Sequence, residues 1–185
     1  PVRVHEEIHP IHIAEPAPGT FVFDLGQNMV GVARVRTTGP RGTAVRLRFA
    51  EVIQENGMPY SEALRGARST DTYIKATDGE EIWEPRFTSH GFRYVEVTGL
   101  PGRPTRDTIT GVVLHSWMEP AGEFSTSNTM VNRLYQNIVW GQKGNFLELP
   151  TDCPQRDERL GWTGDAQIFI RTGSFNYDLA AFMTK

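Results

Sequence analysis

EPAGEFSTSNTMVNRLYQNIV (residues 119–139) is where the apolar pattern of the chain changes period, and it divides the fold in two. After Glu119-Pro120-Ala121-Gly122, the run Ser125-Thr126-Ser127-Asn128 offers helix N-caps, with Ser127 or Asn128 best placed. Met130, Val131, Leu134, Tyr135, Ile138 and Val139 then recur at helical spacing. That spacing predicts an amphipathic helix over about 128–143, stopped by Gly144. Residues 145–164 read as a loop, and 165–172 and 177–183 read as helical again, separated by Gly173-Ser174-Phe175-Asn176.

Upstream the period is two. Val45, Leu47 and Phe49 alternate with Arg46, Arg48 and Ala50, the pattern of a half-buried strand. The segments 20–24, 71–76, 81–87, 92–98 and 108–117 read as further strands. Gly39-Pro40, Asn56-Gly57, Asp78-Gly79 and Pro101-Gly102 mark turns between them, and Asp78-Gly79 reads as a tight hairpin. Residues 60–68 read as a long loop. Strands without intervening helical patterns predict an antiparallel sandwich. The expected organisation is thus a β domain over 1–118 and a helical segment over 119–185.

The last apolar pattern, Leu179, Ala180, Phe182 and Met183, runs up to Lys185 without a stop signal. About three helices with apolar faces cannot close a core alone. The chain therefore reads as a piece of a longer protein, the helical part being truncated; the alternative is that these helices simply dock on the sandwich.

Composition narrows the function classes. The net charge of −3 and the lack of a long basic run argue against nucleic acid as a partner. No apolar run approaches a membrane span, which argues against a membrane partner. The N-terminus PVRVHEEIHPIHI alternates polar and apolar residues and is no signal peptide, so a cytoplasmic location is favoured over secretion, with the compartment otherwise open. The single cysteine, Cys153, rules out an internal disulfide. His5, His9 and His12 lack ligand-like spacing and a second ligand cluster, so no metal site is expected there. The glycines at 26, 31, 39 and 42 lack the following helix and Lys-Ser/Thr pair of a phosphate loop. No cofactor is expected.

The chemistry concentrates in TDCPQRDERLGWTGDAQ (151–167). Asp152, Arg156, Asp157, Glu158 and Arg159 are followed by Trp162 and Asp165. Carboxylates serve acid/base work, and a flat aromatic face can stack on a sugar ring. Gly161 and Gly164 let the backbone turn, so that Glu158 and Asp165 could reach one cavity, with Asp152 joining from the start of the loop. The competing reading is an ion-paired loop in which Asp165 caps the next helix, Glu158 pairs with Arg156 or Arg159, and Trp162 is core packing. Composition alone leaves the two readings even for the charged residues, whereas for Trp162 packing is the better reading. Cys153, with no histidine nearby in sequence, reads as a buried, unreactive thiol.

DCPQRDERLGWTGDAQ (152–167) resembles the signature of bacterial α-L-rhamnosidases of glycoside hydrolase family 78. DLGQNMVG (24–31), RFAEVIQENGMPY (48–60), ARSTDTYIKA (67–76), WEPRFTSHGFRYVEVTGLP (83–101) and GEFSTSN (122–128) resemble the same family in the same order. The resemblance implies a concanavalin-like β-sandwich followed by the first helices of an (α/α)6 barrel that carries the catalytic site. It implies hydrolysis of terminal α-L-rhamnosyl residues with inversion, using an acid and a base carboxylate roughly 6.5–9.5 Å apart. By that resemblance Glu158 is the general acid, with Asp157 a weaker competitor. Asp152, Arg156, Trp162 and Asp165 shape the rhamnose subsite. The family's general base is a glutamate much later in the barrel, with no counterpart in this chain. The isolated chain is then expected to be inactive, and its partners to be a rhamnose-containing glycoside or polysaccharide and the remainder of the barrel. The alternatives are a carbohydrate-binding module, which has no use for an acid between Asp152 and Asp165, and a structural sandwich that supports a barrel. On the latter reading Trp83, Phe87, Phe92 and Tyr94 are core or interface residues. A different glycosidase or lyase on a helical barrel would share the acid and differ in the sugar.

Overall fold

Alternating burial sets the sheet. The structure is a computed structural model that describes residues 1–184, so the reading of the chain's course at Lys185 lies outside the described residues. In β4 (Ala44–Ala50), Val45, Leu47 and Phe49 are fully buried, as the alternation requires. β7 (His90–Thr98) lies beside it and contributes Phe92, Val95 and Val97 to the same core. The other strands are β1 (Val2–Ile8), β2 (His12–Ala17), β3 (Thr20–Gly39), β5 (Thr70–Ile74), β6 (Gly79–Trp83) and β8 (Ile109–Ser116). The pairings with a defined register among them are all antiparallel, in the order β1-β8-β3-β7-β4-β5. β2 and β6 also pair with β3.

β3 is the organising element, and it is far longer than the run 20–24 expected from sequence. It continues past a register shift between Asp24 and Met29 to Gly39. Gly26 takes a left-handed backbone at φ 75°, which a glycine adopts at little cost. Its N–H donates to Asp24 Oδ1 at 2.7 Å. Arg93 grips the same carboxylate with two bonds, Nε to Oδ1 at 2.7 Å and Nη2 to Oδ2 at 2.8 Å. That guanidinium, with the Gly26 amide, holds the Asp24 carboxyl below its ordinary value against the opposing effect of burial. Gly31 pairs with both His90 of β7 and Val113 of β8, so those strands flank opposite edges of β3.

Asp78-Gly79 does not close a hairpin. β5 pairs with β4, whereas β6 pairs with the far end of β3, Gly39↔Gly79 to Val35↔Trp83. The connection is held by side chains instead. Lys75, with its side chain fully buried, donates from Nζ to the Gly79 carbonyl at 2.8 Å and lies 3.2 Å from Glu81. Glu81 accepts from the Thr77 hydroxyl and amide and from the Tyr73 hydroxyl. The strand expected over 81–87 ends at Trp83. Phe87, expected in a core or interface, is fully exposed with φ 60°. The segment 60–68 is a loop, with one 3-10 turn at Glu62–Leu64.

The chain divides into a sheet unit, Val4–Val113 with Gln155–Asp157, and a helical unit comprising Pro1–Arg3, Leu114–Pro154 and the chain from Glu158 on. In the helical unit α1 (Thr129–Asn145) starts where the capping run placed it. Asn128 Oδ1 accepts from the amides of Met130 at 2.9 Å and Val131 at 3.3 Å. Gly144 lies inside the last turn rather than ending the helix. α2 (Thr163–Asn176) runs through the expected break at 173–176, and α3 (Ala180–Met183) is a single turn. Gly173 is not a breaker because it is a contact point: a side chain there would meet Gln142 Nε2 at 2.9 Å. Buried Gln142 donates to the Gly173 carbonyl at 3.2 Å and accepts from Asn176 Nδ2 at 2.8 Å. Beside this polar clasp, Met118, Phe146, Tyr177, Leu179 and Phe182 form a small core, with Phe146 and Phe182 stacked at 4.6 Å. Among the described residues no helix is long and apolar enough to cross a membrane.

Candidate active site

The charged segment is a loop with a closed neck. After α1 the chain makes two short paired strands, β9 (Phe146–Leu147) and β10 (Leu149–Pro150), turning at Glu148 with φ 66°. Thr151 then bridges to Gly161, and the Trp162 amide donates to the Pro150 carbonyl at 3.0 Å. Residues 152–160 therefore leave and return at one point, as in an Ω-loop. The Thr151 amide and hydroxyl both donate to the Asn145 carbonyl, tying the neck to the end of α1.

Inside the neck, Asp152 and Glu158 come together around Cys153. The thiol is buried and donates to Asp152 Oδ2 at 3.0 Å, and its sulfur lies 3.9 Å from Glu158 Oε2. One donor atom from each of the three lies within 4.8 Å of the others. They form the one group of three or more such donors among the described residues that could hold a metal ion. Both carboxylates are half-buried. The sequence reading did not include Cys153 in the site. Its adjacency to Asp152 was the available signal.

The other expected residues are more dispersed. Trp162 is 43% exposed and stands at the N-cap position of α2, so it is not core packing in this chain. Asp165 does not cap that helix. It sits in the first turn, where the helix dipole favours a carboxylate. It lines a mostly apolar cavity of about 280 Å³ with Ile138, Gly141, Phe146, Thr151 and Phe169, which among the described residues neither Asp152 nor Glu158 lines. Arg159 is exposed, with Nη1 3.4 Å from the Pro154 carbonyl. Arg156 and Asp157 lie on the segment Gln155–Asp157, which groups with the sheet unit, Arg156 half-buried and Asp157 exposed.

Comparison with known proteins bears on both units. Residues 14–115 match the bacterial alpha-L-rhamnosidase concanavalin-like domain, and residues 119–185 match the bacterial alpha-L-rhamnosidase 6 hairpin glycosidase domain. The chain is 54% identical over all of its length to an alpha-L-rhamnosidase of Streptomyces avermitilis, of which it spans 18%. It is 48% identical, over 87% of its length, to an alpha-L-rhamnosidase of Formosa agariphila, again spanning 18% of that protein. The crystal structure of the Streptomyces avermitilis enzyme complexed with L-rhamnose superposes with a TM-score of 0.97 at 53% identity, covering 100% of this chain and 18% of that one. The antiparallel β domain followed by a few helices is the arrangement in that structure. By both domain matches, the chain belongs to the bacterial α-L-rhamnosidase family.

Proposed function

We propose that this chain supplies the acid half of the active site of an inverting α-L-rhamnosidase, which hydrolyses terminal α-L-rhamnosyl residues from glycosides or polysaccharides. Residues 1–118 form its supporting β domain, and residues 119–185 form the N-terminal part of a six-hairpin catalytic barrel. Glu158 protonates the leaving oxygen, and Asp152, Arg156, Trp162 and Asp165 shape the rhamnose subsite. The observation that carries the reading is the convergence of Asp152 and Glu158 on buried Cys153 in a loop closed at its neck. Exposed Trp162 offers a ring face, the feature a pyranose stacks on.

The donor atoms of Asp152 and Glu158 lie within 4.8 Å. An inverting pair needs roughly 6.5–9.5 Å to admit water between its carboxyls. Asp152 therefore suits sugar binding rather than water activation, and the general base comes from further along the barrel. The apolar groove of about 560 Å³ lined by Phe124, Val131, Leu134, Tyr135 and Phe175 is where neighbouring barrel helices pack.

The test is Glu158→Gln in the complete enzyme. Loss of protonation should cut turnover on an unactivated rhamnoside by about 10²–10⁴-fold, and by much less on an aryl rhamnoside whose leaving group needs no proton. Wild-type turnover on the unactivated substrate would remove Glu158 from the acid role. The isolated chain should release no rhamnose above background, and robust turnover by it would sink the half-site reading.

A further inference from the structure

Within the sheet unit, Gly91 lies against the segment Gln155–Asp157 so closely that a side chain there would make a tight contact. Gly91 of β7 is buried, pairs with Val30 of β3, and packs directly on Gln155. A Cβ at Gly91 would stand 3.0 Å from Gln155 Cβ, 3.2 Å from its Cα and 3.2 Å from its amide nitrogen. Two of those three atoms are backbone, so the contact cannot be relieved by turning a side chain. Gly66 repeats the arrangement more softly: a Cβ there would stand 3.0 Å from Asp157 Oδ2, which can swing away. Neither glycine has the positive φ that would itself explain the residue. The explanation lies in what packs against them.

We infer that Gly91 is a positioning residue for the proposed acid: it lets the backbone at Gln155 close onto the sheet and so sets the location of Glu158, three residues on. The inference rests on the acid role of Glu158. Pro154 precedes the contact and fixes its own φ, so the chain has little freedom to absorb a shift on that side. A displacement at Gln155 therefore passes toward Glu158 and loosens the cover of Cys153, whose sulfur lies 3.9 Å from the Glu158 carboxylate. A misplacement of a reacting group by about 1 Å costs up to a hundredfold in rate, and a shift of a few tenths of an ångström costs correspondingly less.

The experiment is Gly91→Ala in the complete enzyme, with Gly102→Ala as control, because a Cβ at Gly102 meets nothing within 4 Å. Two readouts are taken: the rate of Cys153 labelling by Ellman's reagent, located by peptide mass, and kcat and KM on unactivated and aryl rhamnosides. The expected result for Gly91→Ala is faster labelling of Cys153, with kcat on the unactivated rhamnoside down by about threefold to tenfold. The aryl substrate should lose less, KM should hardly change, and Gly102→Ala should match wild type. Adding Gln155→Gly removes the 3.0 Å contact and should restore part of both readouts, including solubility if Gly91→Ala alone folds poorly. Unchanged labelling and unchanged kcat overturn the inference, as does a folding or kcat defect that Gln155→Gly does not relieve. Faster labelling with full kcat overturns it too. If Glu158→Gln then also keeps full kcat, it is the acid reading that has failed.

Discussion

The sheet unit and the helical unit solve the problem of burial differently. Phe23, Leu25, Leu47, Phe49, Phe92 and Ile109 are all fully buried within the sheet unit. Among the described residues of the helical unit, Gln142, a polar side chain, is the large one buried to the same degree. There, outside the small core, several large apolar side chains face outward: Met130 is 80% exposed, Ile168 86% and Phe175 70%. The sheet unit has the core of an independent domain, and the helical unit holds its helices together mainly through one small aromatic cluster and one polar clasp.

A paired truncation is the most direct way to break that contrast. Phe49 lies between His90, stacked at 4.1 Å, and Phe92 at 4.7 Å. Phe49→Ala leaves a cavity and should cost about 3–5 kcal/mol in urea unfolding of the chain. Ile168→Ala removes an exposed side chain and should change stability by no more than about 0.5 kcal/mol. Comparable losses from the two would mean that the units are not stabilised differently.

The polar clasp gives a smaller effect and tests the helical side. Gln142→Ala strips the partner from Asn176 Nδ2 and one donor from the Gly173 carbonyl, both at buried sites. The expected cost is about 1–3 kcal/mol. It should appear as lost protection of α1 and α2 amides in hydrogen exchange, with β4 and β7 unchanged. Protection lost in the strands instead would tie the two cores together.

The same contrast explains what the sequence could disclose. Features encoded by neighbours in the chain were legible: the alternation of Val45, Leu47 and Phe49, and the Asn128 cap of α1. Features decided by remote partners were not. Asp78-Gly79 has the composition of a hairpin, but β6 finds its partner in β3 rather than β5. Polar residues at 24–28 hid the length of β3, because the Asp24 carboxylate is satisfied by Arg93 from another strand. Gly173 reads as a breaker until Gln142 is seen against it. In the loop, the pattern brought out Asp152 and Glu158. It could not reveal that Cys153 sits between them, or that Gly91, remote in sequence, packs on Gln155.

Acid is the gentlest probe of the contrast, because it acts on ion pairs of the sheet unit without touching its apolar core. Glu81 is held at about 2, against an ordinary 4.5, first by the Thr77 hydroxyl, then by the Tyr73 hydroxyl, with the Thr77 amide and the Lys75 ammonium adding to them. A carboxyl depressed in the folded state contributes stability that is present above about pH 4.5 and is lost as pH falls toward 2. Asp24, also lowered and paired with Arg93, adds to the same acid limb. Unfolding midpoints of the chain should therefore fall between about pH 5 and about pH 2.5. Glu81→Gln should start lower at neutral pH, since Lys75 is left buried beside a neutral amide, and then fall less steeply. The residual slope belongs to Asp24, and Asp24→Asn in the same background should flatten it further. If wild type and Glu81→Gln lose stability in parallel below pH 4.5, the Lys75–Glu81 network is not what acid dismantles, and the loss lies outside the connection that replaces the expected hairpin.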